Sequence, residues 1–224
     1  MSYLRDRVFV LKKEPFREHD RRYVMYGCEH GLLTAVARGA SLLHSKQAGH
    51  LEPFSEAEVM IAHGSAFDKL AVAKRLIHSE KEVVPFNLAV LSILGAVADL
   101  VFRLSRPGIP DPRIFNLLSE ARLTVLPLST EPTPLRARLI LAGFTLKFLD
   151  LLGFAPSFEN ARELLPQAIT LLHFLRRFPL ADSLRITVST DVLVQAAQFI
   201  EDAVRHTPLE KPPHGPLTVQ VLLN

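Results

Sequence analysis

The sequence has little of what marks secreted domains and most enzymes. Only one of its 224 residues is cysteine, Cys28. No disulfide can form within the chain, and no zinc site can be built on cysteines. A Gly-x-x-x-x-Gly-Lys-Ser/Thr phosphate loop is missing, as are a Gly-x-Gly-x-x-Gly turn and a Gly-x-Ser-x-Gly elbow. Those absences remove the commonest nucleotide-binding and hydrolase designs. Residues Met1 to Arg7 carry charges but have no apolar run of signal-peptide length behind them. The most apolar stretch, Phe86–Leu104, is interrupted by Asp99 and Arg103 and reads as a buried helix rather than a membrane span. The expectation is a cytoplasmic protein with no membrane contact, no cofactor, no metal and no active site.

What is present is ordinary globular material. Hydrophobic residues make up 48% and charged residues 22%, enough to bury a sizeable core. The net charge is only +3. Its distribution says more than its total. The first fifty residues hold nine Lys and Arg against five acids, so the whole basic excess lies there.

Residues 1–80 read as strands. Val8–Leu11 and Tyr23–Tyr26 are β-branched and aromatic, and Leu32–Arg38 alternates large and small apolar residues. Gly27–Gly31 is a hairpin-type connection. Residues 39–49 form a polar loop, and further strands fit Glu56–Ala62 and Phe67–Leu76. Five short strands in this space suit a small barrel of OB type, and an SH3-like barrel would read almost the same. After Pro85 the period changes to that of helices. Helices are expected from Asn87 to Leu104, from Asp111-Pro112 to Pro127, from Thr133-Pro134 to Gly153, from Pro166 to about Phe178, and from a Thr190-Asp191 cap to about Val204. Leu135, Leu139, Ala142, Leu146, Leu149 and Leu152 share one stripe of the third. Ser157–Leu165 is at most a short helix, and Leu184–Val188 reads as extended. An irregular proline-rich tail follows Thr207, with a weak strand pattern at Leu217–Leu223. The fold class is therefore α+β, a barrel over 1–80 followed by a helical domain over 81–224.

Candidate chemistry is sparse. The nine histidines are scattered. His44 and His50 share a loop but lack a third ligand at a telling spacing, and solvated loop histidines are the better reading. Cys28 beside Glu29-His30 suggests a nucleophile, but adjacent residues in a tight turn point apart. What remains is basic: Lys12, Lys13, Arg17, Arg21, Arg22, Arg38 and Lys46 stand at strand ends and loops that a barrel brings to one rim. Such a rim can neutralise phosphates. Tyr3, Phe9, Phe16, Tyr23 and Tyr26 are candidate platforms for bases. Two other readings compete: a solvated charged rim over core aromatics, and a protein-interaction adaptor whose rim takes an acidic peptide.

Several short motifs carry a resemblance. Val8-Phe9-Val10-Leu11-Lys12-Lys13 followed by Glu18-His19-Asp20-Arg21, then Glu29-His30-Gly31, Ala37-Arg38-Gly39-Ala40, Ser45-Lys46 and Leu51-Glu52-Pro53-Phe54-Ser55 resemble, in order and spacing, the start of the bacterial recombination mediator family RecO. Phe148–Pro156 resembles that family's Leu-Gly-aromatic-x-Pro segment. The resemblance implies an OB-type barrel joined to a helical domain. It also implies binding of single- and double-stranded DNA, annealing of complementary strands, and assistance to RecA loading on DNA coated with single-stranded DNA-binding protein (SSB). RecR and SSB, through its acidic C-terminal tail, are the partners implied, and a nucleoid-associated place in the cytoplasm follows. Two features depart from the pattern. The four-cysteine zinc module of many members is replaced near 154–166 by a short cysteine-free stretch including Ser157-Phe158-Glu159-Asn160. The loop after Ala40, Ser41–Lys46, lacks the family's run of basic residues.

Overall fold

The computed structural model describes residues 2–42, 48–77, 88–129, 134–158 and 163–208. The described chain divides into two units, Met1–Val84 with Ser105–Phe115, and Pro85–Leu104 with Asn116–Asn224. The segment Ser105–Phe115, which the sequence places among the helices, thus packs with the strands.

The first unit is a closed five-stranded barrel: β1 Tyr3–Pro15, β2 Arg21–Gly27, β3 Gly31–Ala37, β4 Glu56–Ala62 and β5 Lys69–Arg75. The strand order around it is β1-β2-β3-β5-β4, with β3 and β5 parallel and the other pairs antiparallel. That Greek-key closure is the OB type. β1 is far longer than its apolar kernel Val8–Leu11. Its first half pairs with β4 from Tyr3 to Phe9, and its second half pairs with β2 from Val8 to Pro15. The register shifts between Val10 and Lys12. A bulge there bends the strand, as bulges do, and lets one strand serve two neighbours.

Val8, Val10, Tyr23, Met25, Ala35, Val59, Ile61 and Leu70 fill the barrel together with Leu51. The residues between them on β1 and β2, namely Phe9, Leu11, Val24 and Tyr26, are buried as well. This explains why Val8–Leu11 and Tyr23–Tyr26 are continuous apolar runs rather than alternating ones. Ser105–Phe115 covers part of that second face. The ring of Phe9 lies 4.8 Å from that of Phe115, and the Tyr26 hydroxyl bonds to the backbone of Asp111. Gly31, at φ +67°, lies against the Ile109 carbonyl, and a Cβ there would come within 2.6 Å of its oxygen. Both the backbone angle and the space require glycine.

The second unit is helical: α1 Leu88–Leu104, α2 Pro112–Val125 (which begins in the first unit), α3 Pro134–Leu151, α4 Pro166–Arg177 and α5 Thr190–Arg205. Leu139, Ala142 and Leu146 of the expected α3 stripe pack with Leu171, Leu172, Leu175, Leu193 and Ile200. Ile140, Leu141, Phe144 and Phe148 bury the other side of α3, so α3 is the central helix. α1 is less enclosed than its composition suggests, because Leu88 and Leu91 are exposed. Two local expectations are corrected. Leu180–Arg185 is a 3-10 helix, so the extended piece starts only at Ile186. α5 is capped by Ser189, whose side chain accepts from the Val192 amide at 3.4 Å, one residue before the expected cap. The tail from residue 209, including Leu217–Leu223, lies outside the described residues, as does Asn87. No helix among the described residues is long and apolar enough to cross a membrane.

Candidate nucleic-acid interface

The basic residues lie where the loops leave one end of the barrel. Arg21 opens β2 and sits opposite Pro15 of β1 and Ala37 of β3. Arg38 follows Ala37, so it stands beside the same edge. The β1–β2 loop, residues 16–20, is held to the chain after β3 by three contacts. The Asp20 carboxylate accepts from the Gly39 amide at 2.9 Å, the His19 carbonyl accepts from the Ser41 amide at 3.1 Å, and the Glu18 carbonyl accepts from the Ser41 hydroxyl at 3.5 Å. The β4–β5 loop joins the same end, because the Val36 amide donates to the Asp68 carbonyl at 2.9 Å.

The seven expected cations fall into three groups. Arg17, Arg21 and Arg38 make no ion pair with a described residue, and Arg17 and Arg38 are exposed. Lys13 and Arg22 are spent locally. Lys13 Nζ lies 3.0 Å from Glu52 Oε1, and Arg22 donates through Nε and Nη2 to Glu14 Oε2 at 2.9 and 2.6 Å. Glu14 and Arg22 are register partners across β1 and β2, so their pairing follows from the ladder. Lys12 also engages a partner. Lys46 lies outside the described residues. The rim is therefore mixed, with three arginines that make no ion pair to described residues in a ring of paired charges.

The aromatic expectation changes more. Phe9, Tyr23 and Tyr26 are fully buried and cannot meet a base. Tyr3 is exposed at the start of β1, beside Ala62. Phe16 is half-buried and meets a residue that the sequence did not single out, Phe67 of the β4–β5 loop. Their rings are 5.3 Å apart, edge to face, and the Arg17 guanidinium lies 5.3 Å from the Phe16 centroid and 5.2 Å from that of Phe67. The sequence places Phe67 at the start of the fifth strand rather than among the candidate platforms, but β5 begins only at Lys69, which leaves Phe67 in the loop. Beneath the rim the Tyr23 hydroxyl is buried without a hydrogen-bond partner among the described residues. Burial pushes its pKa up, the nearby Glu52 adds to this, and Arg21 opposes it. The phenol is neutral at ordinary pH.

Other chemistry does not assemble among the described residues. No group of three His, Cys, Asp or Glu side chains is placed to hold a metal. His30 turns its Nδ1 to Asp6, 3.0 Å away, while Cys28 is half-buried and donates its amide to the Arg7 carbonyl. A second concave feature lies on the outer face of β1, β4 and β5, a groove of about 520 Å³. Arg5 and Lys74 flank an apolar floor of Met60 and Val72, with Glu58 between them. The ladder puts these side chains in two rows, Arg5 with Met60 and Val72, and Arg7 with Glu58 and Lys74.

Residues 1–77 match the family model described as "Recombination protein O N terminal". Among curated relatives, the chain is 32% identical over 163 residues to the protein of Rubrobacter xylanophilus named "DNA repair protein RecO", covering 73% of this chain and 62% of that one. To the proteins of the same name from Cutibacterium acnes and Desulforamulus reducens it is 29% and 26% identical, over 70% and 67% of this chain and 63% and 56% of theirs. The chain thus spans less than two thirds of the length of these relatives.

Proposed function

We propose that this chain, whose residues 1–77 match the model described as "Recombination protein O N terminal", is a DNA repair protein that works by binding rather than by catalysis. It holds single- and double-stranded DNA on the barrel rim, anneals complementary strands and assists RecA loading onto SSB-coated DNA, with RecR and SSB as partners. The observation that carries this reading is the gathering of Arg17, Arg21 and Arg38, without ion pairs to described residues, at the loops that OB-type barrels use for oligonucleotides. Backbone contacts of this kind carry no base information, which suits a protein that must act on any sequence. The relatives named as DNA repair proteins support the same reading.

Anisotropy of a labelled oligonucleotide tests the binding. Affinity should fall steeply with salt, with a log–log slope of about −0.7 per phosphate neutralised on a single strand. Annealing of complementary strands coated with SSB tests the second step. An affinity independent of salt, or annealing no faster than without the protein, overturns the proposal.

A second reading, a docking module for an acidic peptide, has its own observation in the groove of Arg5, Met60, Val72 and Lys74. Its cations could hold carboxylates and its floor an apolar side chain. The SSB C-terminal tail titrated against wild type and Val72→Glu decides it. Equal affinity for both removes the groove from the account.

A further inference from the structure

The rim holds one arrangement that phosphate contact does not explain. Phe16 and Phe67 come from two different loops, meet edge to face at 5.3 Å, and carry the Arg17 guanidinium over both rings. Neither ring is buried, and Arg17 is exposed. A guanidinium is a flat, delocalised cation that stacks on aromatic faces much as a base does. The exchange it permits is specific. A base can take the place of the guanidinium on the rings, and the displaced Arg17 is then free for the adjoining phosphate. Duplex DNA cannot make this exchange, because its bases are already stacked on one another. We infer that Phe16, Phe67 and Arg17 form a stacking site for one unpaired base, and that this site makes the barrel prefer single-stranded over duplex DNA. The inference rests on the DNA-binding reading above and adds to it a discriminating element that charge alone does not supply.

A bland alternative exists, in which the ring pair merely ties two loops together. The two roles differ in what they predict. A tie affects stability and all ligands alike. A stacking site affects single strands and leaves the duplex untouched. Losing one base–aromatic stack costs about tenfold in affinity.

The experiment uses the full chain. Phe67→Leu keeps an apolar contact and removes the aromatic face. It is expected to weaken binding of a labelled oligothymidylate about tenfold, with duplex affinity and the urea midpoint unchanged. Phe67→Tyr should restore the single-strand affinity. Because the chain has no tryptophan, Phe67→Trp adds a single reporter, whose fluorescence should be quenched by the oligothymidylate and not by a blunt duplex. If wild type binds the oligonucleotide but Phe67→Leu weakens both DNA forms equally, or the indole fluorescence of Phe67→Trp does not respond to bound strand, the stacking site is refuted while the rim reading stands. If wild type binds no oligonucleotide at all, the rim reading itself fails and takes the stacking site with it.

Discussion

Asp6 of β1 reaches across to Gly27 of β2 and occupies the space that a side chain there would need. A Cβ on Gly27 would collide with Asp6 Oδ2. From this position the fully buried carboxylate accepts from the amides of Arg7, at 2.7 Å, and of His30, at 3.0 Å, and from that of Glu29. One carboxylate thus organises the whole β2–β3 turn, and its negative charge is spread over backbone donors and the His30 ring. Replacing Asp6 by Ala leaves turn amides without partners, and such orphaned groups cost about 1–3 kcal/mol each. Asp6→Ala and Gly27→Ala should each lower the urea midpoint by the equivalent of about 2–4 kcal/mol. A loss below about 1 kcal/mol in both would mean that the turn finds other partners.

A second bond pair ties β2 to the segment before α2. The Tyr26 hydroxyl accepts from the Asp111 amide at 3.2 Å and donates to the Asp111 carbonyl at 3.4 Å. Burial raises the phenol pKa from 10.0 to about 12, against an opposing contribution from the backbone hydrogen bond. The folded chain therefore holds this proton more tightly than the unfolded chain. The stability it supports is full below pH 10 and is lost as pH rises from 10 toward 12. Urea midpoints between about pH 9 and 12 should fall more steeply for wild type than for Tyr26→Phe. Parallel curves would refute the shift.

Asp111 makes the converse case. The hydrogen bond from Arg113 is the largest influence on its carboxyl and holds its pKa below the ordinary 3.8, with Arg113 Nη2 2.7 Å from Oδ2. A depressed carboxyl contributes stability above its unfolded pKa and loses it as pH falls through the lower, folded value. The acid limb of stability below about pH 4 should be shallower in Asp111→Asn than in wild type, and identical limbs would remove the assignment.

The rim divides its cations into those ion-paired with described residues and those that are not, and this too is measurable. Arg21→Glu with Arg38→Glu should weaken DNA binding and flatten the salt slope by about 1.4, which is two single-strand phosphate contacts. Lys13→Gln with Arg22→Gln should do much less, because Glu52 and Glu14 already hold those side chains. Equal losses in the two double variants would show that the ion pairs open for the ligand.

Much of this was legible in the residues. The five strands appear where β-branched and aromatic runs and glycine-bounded turns placed them, and Glu56–Ala62 matches its strand end to end. The helices start at Pro112, Pro134 and Pro166, since a proline at the first turn loses no hydrogen bond. The extent of β1 was not legible, because pairing to two neighbours is a property of the ladder rather than of the side chains from Tyr3 to Arg7.

Local chemistry decided what the sequence alone could determine: a small five-stranded barrel ahead of helices, the charge excess in the first fifty residues, and the family motifs that coincide with it. The tertiary structure alone decided which of those charges are paired and which aromatics are exposed. An Arg is the same residue whether or not Glu14 stands across the ladder from it, and a Tyr in an apolar run gives no sign of whether Ser105–Phe115 will cover it. Phe67 shows the reverse. The sequence reads it as the start of a strand, and only closure of the barrel, by carrying the β4–β5 loop to Phe16 and Arg17, gave it a partner.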